Sequence, residues 1–151
     1  MTWEYIAGFF DGEGSLVHNG KGYRANISQT NKEVLDEIKY FSGVGLVCKI
    51  TKRQAHWKDS WVYYVSKQKD VDFFVRNILP FVYVKKDKII ETIPKLDRIL
   101  ELQKFRSIRL VRRKKEALKL RESGLSYWRI GQKMGLDRSY VRKLILGKWK
   151  S

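Results

Sequence analysis

Residues 6–14 read Ile6-Ala7-Gly8-Phe9-Phe10-Asp11-Gly12-Glu13-Gly14, and the placement of this stretch decides the fold of the chain. Just upstream, Thr2 can cap a helix and Glu4 falls in its first turn. Trp3, Ile6, Ala7 and Phe10 recur at helical spacing, so a helix is predicted from Thr2 to about Gly12. Ala7, Gly8 and Gly12 lack bulk, and Gly8 and Gly12 lie four apart. One helix face is therefore open to close approach by another backbone. Directly beyond it stand Asp11 and Glu13, at the end where the macrodipole already concentrates negative charge. Two readings follow. Either the helix ends in an ordinary acidic glycine turn, or a bound cation relieves the charge. Mg²⁺ suits one or two carboxylates completed by water and substrate phosphates.

Working outward, Ser15–Val17 pairs with Tyr23–Thr30 across the turn-rich His18-Asn19-Gly20-Lys21-Gly22. In the second strand Arg24, Asn26, Ser28 and Thr30 alternate with Tyr23, Ala25, Ile27 and Gln29, so the two sets face opposite ways. Thr30-Asn31-Lys32-Glu33 reads as a capping box opening a helix to about Phe41. A second hairpin is expected over Leu46–Gln54 and Ser60–Ser66, with Trp61, Tyr63 and Val65 in the core. A helix follows from about Asp70 to Leu79, then another from about Lys85, bent or broken at Pro94. Helix, hairpin, helix, hairpin and helices describe an α+β fold with helices on one face of an antiparallel sheet.

Charge divides the chain. Thirty-two Lys and Arg stand against 16 Asp and Glu, a net charge of +16, far beyond what solubility requires. Residues 1–105 hold 17 basic and 13 acidic side chains, whereas residues 106–151 hold 15 and 3. The last third thus reads as a polyanion-binding segment, most simply for nucleic acid. No apolar run approaches the roughly 20 residues of a membrane span. The start lacks a basic signal-peptide region. The single cysteine, Cys48, allows neither an internal disulfide nor a cysteine zinc site. The expected setting is cytoplasmic, or organellar in a eukaryotic host.

Ile6 to Gly14 resembles the signature of the LAGLIDADG homing endonucleases, with Ile for the first Leu and Glu for the last Asp. The element order after it resembles the αββαββα core of that family, over about residues 2–105. The resemblance implies a sequence-specific, Mg²⁺- or Mn²⁺-dependent DNA endonuclease, encoded within a mobile intron. Members with one motif act as homodimers, so it also implies two first helices packed through Ala7, Gly8, Asp11 and Gly12. Glu13 and the backbone of Gly12 would hold the metals near the two-fold axis, where hydrolysis cuts across the minor groove of a long, near-palindromic duplex. Glu is one methylene longer than the usual Asp and still ligates Mg²⁺.

The same resemblance assigns further positions. After Leu79-Pro80-Phe81, Lys85 matches a lysine beside the nucleophilic water; read by itself it is a basic residue among Lys86 and Lys88. Asn31 matches a polar residue, often Gln, that orients water, and Gln29 is the alternative for that role. The sheet would read DNA in the major groove through Arg24, Asn26, Ser28 and Thr30. The second hairpin offers Lys49, Thr51 and Arg53 on one face and Cys48, Ile50 and Lys52 on the other, with the first set preferred on polarity. Two rival functions share the scaffold: a catalytically inactive DNA-binding regulator and an intron RNA maturase. Asp11, Glu13 and Lys85 together favour the nuclease.

Residues 106–151 change character. Helices are expected to Glu122, over Ser126–Met134 and over Asp137–Leu146, with Ser126 and Asp137 as caps. Ser126 to Leu144 resembles a resolvase- or repressor-type helix-turn-helix turning at Gly135. The start of its second helix would enter a major groove, which puts Arg138, Ser139, Tyr140 and Arg142 at bases or phosphates and Lys143 on the backbone. The expected domains are residues 1–105, the endonuclease core, and residues 106–151, a basic DNA-binding extension.

Overall fold

The computed structural model describes residues 1–52, 54, 56 and 58–147. Its elements are α1 (Trp3–Glu13), β1 (Gly14–His18), β2 (Tyr23–Gln29), α2 (Lys32–Ser42), β3 (Leu46–Lys49), β4 (Trp61–Val65), α3 (Gln68–Ile78), α4 (Lys86–Glu122), α5 (Tyr127–Met134) and α6 (Arg138–Leu146). The architecture is α+β, with the αββαββα order expected and helices added after it. The chain divides into two compact units, Met1–Glu101 and Leu102–Ser151, and α4 runs through the division.

In the first unit the four strands form one antiparallel sheet in the order β1-β2-β4-β3. Thr2 caps α1, its hydroxyl accepting from the Tyr5 N–H at 3.3 Å. The helix reaches Glu13 and passes straight into β1. Only glycine permits this at position 14, since a Cβ there would lie 2.3 Å from the Phe10 ring and 2.5 Å from the Phe10 carbonyl. Gly14 pairs with Ile27, Asn26 with both Ser15 and Tyr64, and Ile27 with Tyr63. Ala25, Ile27, Tyr63 and Val65 point to the helical side, where they are buried with Ile6, Ala7 and Phe10 of α1, Leu35 and Ile38 of α2, and Phe74 and Ile78 of α3. Trp61 is half-buried against this core. Full burial of such side chains contributes about 1.5–3 kcal/mol each. The Tyr63 hydroxyl is satisfied by Ser42 at 3.0 Å and the Val44 carbonyl at 3.1 Å. Burial pushes its pKa up to about 12, against the opposing bond from Ser42.

Four expectations are corrected here. The cap of α2 is Asn31, not Thr30: its side-chain oxygen accepts from Glu33 N–H at 2.9 Å and Val34 N–H at 3.4 Å. An Asn one residue closer to the helix serves better than the Thr that ends the strand region. The start of α3 is Gln68, whose side chain ties the backbone of Tyr23 to this helix through bonds of 2.8 and 2.9 Å. Pro94 does not break α4 into two helices. Ile89, Thr92 and Leu96 are buried on one side of that stretch with Ile93 packed beside them, which offsets the lost backbone bond. Lastly, Lys49 pairs with Trp61 and shares the face of Val47, Tyr63 and Val65, so its row does not continue that of Arg24, Asn26 and Ser28. Because the pleat has period two, the core demand of Tyr63 and Val65 fixes which face β3 presents.

In the second unit Ala117, Ile130, Val141 and Leu144 form a small core, with Leu120, Leu125, Met134 and Leu136 around it. The expected caps are in place. Ser126 accepts from Arg129 N–H, and Asp137 accepts from Ser139 N–H at 2.7 Å and Tyr140 N–H at 3.3 Å. Gly135 ends α5 in the left-handed region at φ 62°. A Cβ on Gly131 would stand 2.6 Å from the Leu136 carbonyl, so a glycine is required where the turn folds back on α5. Among the described residues no helix is long and apolar enough to cross a membrane.

Candidate functional site

The end of α1 carries two carboxylates with different surroundings. Asp11 reaches across to the loop leading into α4. Its Oδ2 accepts from Tyr83 N–H at 2.6 Å and Val84 N–H at 3.1 Å, and its Oδ1 accepts from Lys85 N–H at 3.0 Å. Lys85 answers in the other direction: its ammonium donates to the Phe10 carbonyl at 2.9 Å and to the Asp11 carbonyl. These are carbonyls of the last turn of α1, where the helix dipole favours a cation; the Phe10 carbonyl also accepts from the Gly14 N–H. Desolvation pushes the Asp11 pKa upward. The N–H groups of Tyr83, Lys85 and Val84, with the charge of Lys85, outweigh it and hold the carboxyl below its ordinary value. Helix-end repulsion, foreseen for both acids, is thus relieved for Asp11 by Lys85.

Glu13 is different. It is exposed, and its carboxylate has no hydrogen-bond or ion-pair partner among the described residues. Gly12 beside it offers only a backbone carbonyl. These are hard oxygen donors of the kind Mg²⁺ takes, so the residues fit the metal. Among the described residues no group of three or more His, Cys, Asp or Glu gathers, so one copy supplies only part of a coordination shell.

The expected positions fall into three groups. Lys85 and Asp11 come together through the bonds just given, at the helix end that carries Glu13. Gln29 joins them by register: Gly14 lies opposite Ile27, so Gln29 stands two residues along β2, roughly 7 Å away in strand length. Its Oε1 is bonded to Thr30 N–H at 2.7 Å and Thr30 Oγ1 at 3.1 Å. Asn31 is exposed, two residues further on, and its side-chain oxygen is taken up by the cap of α2.

The second group is the sheet face away from the helices. Arg24 and Ser28 are exposed and Asn26 is half-buried, in one row as expected. Thr30 lies just past the strand. Pairing adds Ser15 from β1 and Val62 and Tyr64 from β4 to this face. The Arg24 guanidinium sits 5.2 Å from the centre of the Tyr64 ring. Sequence reasoning misses Tyr64 and Val62, although alternation from the core residues Tyr63 and Val65 carries that signal. Lys49 and Lys52 both grip Asp59, at 2.8 and 2.7 Å, and pull its carboxyl down to about 2. Thr51 is exposed beyond β3, and Arg53 lies outside the described residues.

The third group corrects the expected dimer surface. Ala7 is fully buried in the core of its own unit and is not available to a second copy. Asp11 is committed to the loop before α4. Gly8 and Gly12 remain exposed, and a Cβ on either would meet nothing within 4 Å. In the second unit Arg138, Ser139, Arg142 and Lys143 are exposed on α6, while Tyr140 packs partly into the small core.

This construction, a glycine-faced helix ending in carboxylates beside a helix-backed β1-β2-β4-β3 sheet, defines the LAGLIDADG class of fold. Residues 2–79 match the LAGLIDADG-like domain, and the chain belongs to that family. No curated protein matches it in sequence. Among solved structures it is similar to an archaeal intron-encoded homing endonuclease, I-Vdi141I, complexed with DNA. The identity is 22% and the TM-score 0.54, over 66% of this chain and 69% of that one. The homing endonuclease I-CvuI, in complex with its target, is 16% identical at a TM-score of 0.52, over 96% and 92%. The LAGLIDADG meganuclease I-CpaMI, bound to uncleaved DNA, is 20% identical at 0.52, and this chain spans 38% of it.

Proposed function

We propose that the chain is a homodimeric, divalent-metal-dependent endonuclease that cuts a specific, near-palindromic DNA duplex. The observation that carries this reading is Glu13. It is an exposed carboxylate, without a hydrogen-bond or ion-pair partner among the described residues, at the end of a helix whose adjoining face is bare glycine, in the segment that matches the family. Two copies packed through Gly8 and Gly12 bring two such carboxylates together. The surface around that face supports a second copy as its occupant: Tyr5 is 50% exposed, Tyr83 90% and Val84 75%, the last two hanging on Asp11, one residue from Gly12.

Glu13 and the Gly12 carbonyl would hold Mg²⁺ or Mn²⁺, which supplies Lewis-acid charge to the scissile phosphate. The residues of the chain do the rest. Two N–H bonds of the Lys85 ammonium are used on α1, and an ammonium has three, so one is left for a phosphate oxygen in the transition state. Gln29, at the end of β2, orients water; Asn31 is the alternative. Arg24, Asn26 and Ser28 read base edges, with Tyr64 bracing Arg24. Arg138, Ser139, Arg142 and Lys143 extend the DNA-reading surface to outer positions of each half-site, and the basic surplus of residues 106–151 supplies salt-dependent affinity. Such an enzyme promotes mobility of the intron that encodes it, in the cytoplasm or an organelle.

The test is incubation with a randomised plasmid library and Mg²⁺, followed by sequencing of cut ends. The proposal expects one recurrent, near-palindromic site cut on both strands and no cutting in EDTA. Tight duplex binding without any cutting would instead identify a regulator, and preference for folded RNA a maturase.

A further inference from the structure

We infer that Asp11 is a positioning residue: joined with Lys85 in a reciprocal clasp, it fixes where the Glu13 carboxylate stands. This rests on the reading of Glu13 as a metal ligand and adds how that ligand is held. Among the described residues the Glu13 carboxylate has no hydrogen bond or ion pair to orient it, and it lies at a helix end, where backbones fray. Within the preceding three residues, however, the backbone is tied twice to one loop. The Asp11 carboxylate fills a nest of three successive N–H groups, Tyr83, Val84 and Lys85. The Lys85 ammonium closes the loop back onto the carbonyls of Phe10 and Asp11.

Each charge complements the backbone at the other's end. The anion sits on donors leading into α4, and the cation sits on the acceptors of the last turn of α1. Both side chains take backbone groups as their partners, and the two bond sets cross 72 to 75 residues of sequence. The clasp therefore sets the exit of α1, and with it the departure of Gly14 into β1, to within the tolerance of five hydrogen bonds. Partners bonded directly to a ligand change metal affinity or activity about 10- to 100-fold when removed. The clasp holds the backbone that carries the ligand and not the carboxylate itself, so the lower end of that range, about tenfold, is expected.

A positioning role separates from a mere field effect by the sign of its response. If Asp11 and Lys85 acted only as nearby charges, Asp11→Asn would weaken Mn²⁺ binding and Lys85→Met would tighten it. If they act as a clasp, both weaken it. The experiment titrates Mn²⁺ into wild type, Asp11→Asn and Lys85→Met, each bound to the duplex recovered from the plasmid library. Duplex affinity in EDTA and amide exchange at Tyr83 and Val84 are measured alongside. Expected are a loss of Mn²⁺ affinity of about tenfold in both variants, duplex affinity within about threefold, and faster exchange at the two amides. Mn²⁺ binding by Lys85→Met as tight as wild type or tighter, with those amides released, overturns the inference. Failure of the underlying reading looks different: wild type itself then binds no Mn²⁺ and yields no cut site, while slow exchange at Tyr83 and Val84 still reports the clasp. Should Asp11→Asn not fold, Lys85→Met alone decides.

Discussion

A Cβ built at Gly8 has no neighbour within 4 Å among the described residues and the position is exposed, so a leucine there starts out into open space. Glycine in a helix interior is about 0.8–1 kcal/mol less favourable than alanine, and leucine is close to alanine, so Gly8→Leu should hold or raise the stability of the folded protomer by up to about 1 kcal/mol. The proposed dimer should respond in the opposite direction. Two α1 helices meeting through bare glycine leave no room for a four-carbon side chain, and overpacking costs about 1–3 kcal/mol at each insertion. A two-fold axis places the substitution on both sides of the interface, so the total is roughly 2–6 kcal/mol, a weakening of association by about thirtyfold or more. Urea unfolding reads the first quantity, and sedimentation equilibrium over a concentration series, with and without DNA, reads the second. A Gly8→Leu protein that associates as tightly as wild type would refute packing through this face. So would a wild type that stays monomeric on DNA.

Truncation after Phe105 removes 15 of the 32 basic residues and none of the groups around Glu13. Metal-dependent chemistry should persist, affinity should fall, and the slope of log K against log salt should shrink by about 0.9 for each phosphate that the shortened chain no longer neutralises; an unchanged slope would remove the DNA-binding role of the C-terminal helices. Gly131→Val should unfold the small second core by driving a side chain onto the Leu136 carbonyl, leaving the first unit folded, with the same loss of affinity as truncation; wild-type affinity would contradict it. Tyr63 has a folded pKa raised from 10 to about 12, so its contribution is complete below pH 10 and is lost as pH rises from 10 through 12. Across that window wild type should lose up to roughly 2–3 kcal/mol relative to Tyr63→Phe in urea unfolding, and parallel pH curves would show that burial does not hold the phenol neutral.

What can be read from the sequence is local. Thr2, Ser126 and Asp137 announce helix starts because a cap bonds N–H groups only two or three residues away. The β2 row of Arg24, Asn26 and Ser28 follows from period-two alternation against Ala25 and Ile27. What cannot be read depends on partners distant in the chain. Lys49 looks like part of the same row, but its face is set by pairing with Trp61, and β4 takes its register from β2. Ala7 looks like interface because it is small; its burial depends on where α1 sits on the sheet. Asp11 and Glu13 look alike, two acids at one helix end. Only the loop more than 70 residues away distinguishes them, by taking Asp11 and leaving Glu13. Pro94 reads as a break from its own chemistry, and the burial of Ile89 and Leu96 outweighs it.

The central claim is that Glu13 holds the metal that cuts DNA. Glutamine at that position keeps size and hydrogen-bonding capacity and loses the charge. Single-turnover cleavage of the selected duplex by wild type and Glu13→Gln, in Mg²⁺ and in Mn²⁺, tests it most directly, with duplex affinity measured in parallel. Cleavage should be abolished while specific binding stays within about tenfold, or 1.4 kcal/mol. Undiminished cutting by Glu13→Gln would contradict it.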